Sequence, residues 1–96
     1  MTKPIGHFTS YTINDGSLLD SLQEEYGSTV ELMTRREKLY LIQAIAIQLC
    51  DQSPGFCRDE IYVVGHQINS SLSLRDREGL LEALINQVRS SNSLPA

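Results

Sequence analysis

Cys50, Cys57 and His66 are the residues in this chain best suited to hold a transition metal, and their spacing does not suit one. Structural zinc sites pair their ligands at separations of about two to four residues. Here the two cysteines stand seven positions apart, and Asp51 and Asp59, the nearest further donors, are ordinary surface types. No metal and no cofactor is expected. A Cys50–Cys57 disulfide would close the turn around Pro54 and Gly55, but two cysteines do not make a disulfide framework, and buried free thiols are the expected state.

Nucleophilic catalysis needs a base beside the nucleophile and a third group that orients the base. His7 lies near the start of the chain and His66 follows Gly65, and neither belongs to a recognisable motif. Glu24-Glu25 and Asp59-Glu60 are neighbours in sequence, so on a helix each pair diverges instead of converging on one substrate. Neither a glycine-rich phosphate loop nor a dinucleotide fingerprint occurs, and the acids lack the alternation of a calcium loop. The chain reads as a non-enzyme.

The charge pattern is more informative. Formal net charge is −4, which argues against a general nucleic-acid binder. Residues 1–33 carry Lys3 against Asp15, Asp20, Glu24, Glu25 and Glu31, whereas the rest of the chain is balanced. Asp20, Glu24 and Glu25 therefore form either a solvated acidic helix face or a docking face for a basic partner. Arg35, Arg36 and Lys38 open one expected helix, and Arg75 and Arg77 open another. Cations at a helix start oppose the helix dipole by roughly 0.3–1 kcal/mol each. Their recurrence at two equivalent starts points to contact with a carboxylate, a phosphate or a partner protein. The plainer alternative is neutralisation by Glu37, Asp76 and solvent.

These residues sit on a duplicated pattern. Sliding the sequence onto itself by 39 residues superposes Arg36 on Arg75, Leu41 on Leu80, Ala44 on Ala83 and Gln48 on Gln87. Such internal similarity describes a structural unit used twice, each copy needing a neighbour to bury its apolar side. Thr34-Arg35-Arg36-Glu37 has capping-box spacing, and Ser73-Leu74-Arg75-Asp76 repeats it with Asp in place of Glu. Earlier, Asn14, Asp15 or Ser17 can cap a first helix bearing Leu18, Leu19, Leu22 and Tyr26, with Gly27 ending it. Ser28-Thr29-Val30-Glu31 again has capping-box spacing and predicts a short helical turn through Met33. Between Arg58 and Ile68 the residues suit a strand on propensity, but Ile61, Val64 and Ile68 fit helical spacing, and the repeat places a helix here.

The expected fold is all-α. It is a four-helix bundle or two tandem helical hairpins with a repeat of about 39 residues, preceded by an extended arm. The arm covers 1–14, a single helical domain covers 15–90 (hairpins 15–52 and 57–90), and a disordered tail covers 91–96. From Leu39 to Cys50 ten of twelve residues are apolar, so the second helix must be covered nearly all round. Ninety-six residues supply little to cover it with, and a homodimer is expected, with Leu39, Tyr40 and Ile47 in the interface. The opening Met-Thr-Lys-Pro-Ile-Gly-His lacks the apolar core of a secretory signal and no run is long enough to span a bilayer, so a cytoplasmic location is expected.

The leading functional expectation is a non-catalytic protein–protein interaction module, a small adaptor or regulator. A regulator contacting nucleic acid through its basic helix starts is the first alternative. An inhibitor or accessory subunit of an enzyme is the second.

Overall fold

Side-chain capping marks the starts of three of the four α-helices in the computed structural model, which describes residues 3–10 and 16–92. Among the described residues there are four α-helices and no strand: α1 Leu18–Tyr26, α2 Arg35–Gln52, α3 Asp59–Ser71 and α4 Leu74–Asn92. The chain divides into two units, Met1–Pro54 and Gly55–Ala96. The described residues are therefore all-α, and the segment that could have been a strand, Ile61–Val64, lies inside α3.

In the first unit, Pro4 holds φ at −62° and launches a 3-10 turn at Ile5–His7, where an extended arm was expected. The Ile5 N–H donates to the Ser28 carbonyl at 2.9 Å, so this turn is tied to the far end of α1. The remainder of the expected arm, 11–14, lies outside the described residues, as do the possible caps Asn14 and Asp15. Ser17 caps α1, its Oγ accepting from the Asp20 N–H. Leu19, Leu22 and Tyr26 form the half-buried side of α1, while Leu18 stays exposed.

Gly27 ends α1 at φ +98°, a region that side-chain-bearing residues rarely enter. The helical turn expected at Ser28–Met33 does not form. Val30 takes φ +50°, and the Glu31 carboxylate accepts from the N–H and hydroxyl of Thr29 (3.2 and 2.7 Å), not from Ser28. These bonds, the hydroxyl first, hold the Glu31 carboxyl below its ordinary pKa. A Cβ placed on Gly27 would collide with the Glu31 carboxylate. Gly27→Ala is expected to cost about 1–2 kcal/mol through backbone strain. It also drives Glu31 off Thr29, so an NMR titration should show the Glu31 pKa rising toward its ordinary value.

The strongest start signal in the sequence forms as expected. The Glu37 N–H donates to Thr34 Oγ1 at 3.1 Å, and the Thr34 N–H donates to Glu37 Oε1 at 2.8 Å. Thr34→Ala is expected to remove about 1 kcal/mol of stability. In a domain of this size that lowers the melting midpoint by roughly 4–8 °C.

The second unit uses the same chemistry less completely. Ser73 Oγ accepts from the Asp76 N–H at 3.1 Å, but among the described residues no return bond from Asp76 forms, its side chain being one methylene shorter than Glu. The offset of 39 holds between the caps Thr34 and Ser73, whereas the residues preceding α1 and α3, Ser17 and Arg58, stand 41 apart. At the start of α3 the Arg58–Glu60 pair, 3.7 Å apart and largely exposed, contributes little. Gly65, Ile68, Arg77 and Leu80 are the half-buried residues of this unit's helices. α4 runs to Asn92, two residues past the expected end, and 93–96 of the expected tail lie outside the described residues.

None of the described residues is buried. On α2 the large apolar side chains from Leu39 to Leu49 keep between 38% and 64% of their surface in solvent.

Candidate functional site

The cleft and most of the exposed large apolar residues of the first unit lie on α2. Each residue turns an α-helix by about 100°, so Glu37, Tyr40, Leu41 and Ala44 share one face. That face looks toward the turn that follows α1. The Leu32 N–H donates to the Tyr26 carbonyl and the Met33 N–H to the Val30 carbonyl, a path that carries Tyr26 and Met33 alongside the first turns of α2. Between them lies an open cleft of about 360 Å³ lined by Tyr26, Met33, Arg36, Glu37, Tyr40 and Leu41.

The cleft is mainly apolar, with two phenols and one guanidinium at its border. Its carboxylate, Glu37, is already engaged in the cap of α2. Such a lining suits an apolar group with a polar edge.

The opposite side of α2 carries Arg35, Leu39, Ile42, Ala46, Leu49 and Ser53, all exposed. Their separations of four and three residues alternate, which is the spacing found along a coiled-coil seam. The dimer contact expected from the sequence was Leu39, Tyr40 and Ile47. Tyr40 and Ile47 lie within about 20° of each other, but Leu39 sits roughly 80–100° away, on the seam side.

The other candidate residues are distributed as follows. Arg35, Arg36 and Lys38 occupy the start of α2, and Arg36 reaches the cleft. Arg75 and Arg77 stand in the first turn of α4, in the second unit. Arg75 is exposed, while Arg77 is half-buried and its Nε lacks a hydrogen-bond partner. On α1, Glu24 and Glu25 are exposed, and Asp20 is half-buried in the first turn, where an acid suits the helix dipole.

Cys50 and Cys57 are free thiols, and both are exposed, not buried as expected. Both flank the Ser53-Pro54-Gly55 stretch, where the chain leaves α2 and few side chains gather to cover them. Among the described residues no group of three or more His, Cys, Asp or Glu is placed to hold a metal ion. None of the described helices is long and apolar enough to cross a membrane.

Compared with protein-family models, curated proteins and solved structures, the chain shows no significant match to any.

Proposed function

We propose that this chain is a non-catalytic protein–protein interaction module, a small adaptor or regulator, that works as a homodimer. The observation that carries this reading is the exposure of α2: Leu39, Ile42, Ile45 and Leu49, within about 120° of one another round the helix, each leave 40% or more of their surface in solvent. Contiguous apolar exposure of this kind marks contact sites.

Magnitudes set how large the contact must be. Burying an Ile or Leu completely is favourable by roughly 1.5–3 kcal/mol, and about half of that remains to be gained at each of these residues. Association itself costs about 4–15 kcal/mol. One or two side chains cannot offset that, whereas a row along α2 contributed by both partners can. The N-terminal cap and the length of α2 help it persist, but most helical stability in proteins comes from packing of an apolar face, so tertiary or quaternary cover is needed.

The nucleic-acid alternative draws only on the basic helix starts and is opposed by the net charge of −4. The test is affinity capture from the native host, with a chain carrying polar replacements on α2 as control. A protein retained by the native chain and lost by the control supports the reading. Retention of nucleic acid, released by salt, would overturn it in favour of the alternative.

A further inference from the structure

We infer that α2 pairs with α2 of a second copy in antiparallel order, through the seam of Leu39, Ile42, Ala46 and Leu49, with the twofold axis at the level of Ala44. This rests on the homodimer reading above and specifies its geometry.

The seam lies on the side of α2 away from the cleft. Tyr26 and Met33 approach the Tyr40–Leu41 side, and the seam lies half a turn round from there. Along it, Leu39, Ile42 and Leu49 are 40%, 42% and 48% exposed, and Ala46 is exposed too.

Charge fixes the direction. The first turn of α2 holds Arg35, Arg36 and Lys38 against Glu37, while its last turn has no cation and ends near Asp51. The helix dipole adds positive charge at the first end and negative at the second. Parallel pairing would stack the two cationic ends well within a Debye length of about 8–10 Å. Antiparallel pairing sets each cationic end beside the carbonyl end of the other helix. Cations that conflict with their own helix dipole thereby match that of the second copy.

The sequence fixes the register. Reversing α2 about Ala44 brings Leu39 level with Leu49 and Ile42 level with Ala46. Each Ile42 then meets the small Ala46 of the second copy, which lets the helices approach closely. Ile45 meets its own counterpart along one border and Gln43 its counterpart along the other, an apolar pair and an amide pair, as an isologous contact requires. Arg35 comes level with Ser53, at the carbonyl end. Glu37 and Asp51 also come level, but both lie on the far side of the helices from the seam.

Cysteine cross-linking tests this arrangement in full-length chains with Cys50→Ser and Cys57→Ser, first checked for native helix content. One chain then carries Leu39→Cys and another Leu49→Cys, and disulfides are formed with oxidised glutathione. A disulfide needs Cα atoms within about 7 Å. In the antiparallel pair the two copies of position 39 are about 15 Å apart along the axis, whereas 39 and 49 are level. The mixture is expected to give a covalent dimer of unlike chains, and neither chain alone is expected to link to itself.

Self-linking of the Leu39→Cys chain would show a parallel pair and overturn the inference. No linking in the mixture, with light scattering still giving a dimer, would place the contact elsewhere and leave the homodimer reading intact. A monomer by light scattering would remove both. A second variant reads the close approach directly. Ala46→Leu keeps helix propensity but fills the space facing Ile42, and should raise the dimer dissociation constant roughly tenfold or more. An unchanged constant would overturn the Ile42–Ala46 contact.

Discussion

Replacing Ile42 and Leu49 together by Lys should leave a helical chain that no longer self-associates. Both positions are nearly half exposed in the single chain, and Lys is a good helix former, so α2 itself loses little. In the paired state the two substitutions put four ammonium groups along one narrow seam. Burying an unpaired charge costs several kcal/mol even after its stem snorkels toward solvent. Each 1.4 kcal/mol is a factor of ten in the dissociation constant, so the expected shift exceeds a thousandfold. Sedimentation velocity should show monomer where the native chain shows dimer. Leu18→Lys, at an exposed position on α1, is the matched control and should leave the sedimentation coefficient unchanged. If the double variant sediments like the native chain, the seam is not the contact.

The second large effect concerns the basic helix starts. Replacing Arg35, Arg36, Arg75 and Arg77 by Gln should preserve the circular-dichroism spectrum. The conflict between each cation and its own helix dipole, roughly 0.3–1 kcal/mol apiece, disappears. Association should nevertheless weaken, because the cationic end of α2 no longer faces the carbonyl end of its counterpart. The weakening should be largest at low salt and fade as ionic strength rises, since exposed charges are screened beyond about 8 Å at physiological salt. A variant that unfolds would show these arginines to be structural. One that folds and associates as before at low salt would show them to be neutralised by their surroundings.

How much of this was legible in the sequence follows from the range of the interactions involved. The Thr34–Glu37 box lies within one helical turn, and both of its bonds form. The Ser73 cap is equally local and forms its first bond. Helix over Ile61–Val64 was readable from three- and four-residue spacing against the β propensity of its residues. The same box pattern misled at Ser28–Glu31, because a positive φ at Val30 turns the chain and sends the Glu31 carboxylate to Thr29. Spacing alone does not specify backbone direction.

The cleft was not legible. Tyr26 and Met33 meet the start of α2 only because of the path of that turn, which no periodicity describes. Exposure of Cys50 and Cys57 was missed for a related reason. Cysteine is often buried, but these two flank a Pro-Gly stretch at the end of a helix. The expectation that α2 lies against other elements rests on its composition. Within the single chain its apolar residues remain open to solvent.

The most direct test of the central claim is the mass of the unmodified protein by light scattering across a hundredfold dilution series in the micromolar range. A homodimeric interaction module should give about twice the chain mass of 10.8 kDa, falling toward it only at the lowest concentrations. A mass of 10.8 kDa throughout, with helix content intact, would contradict the claim.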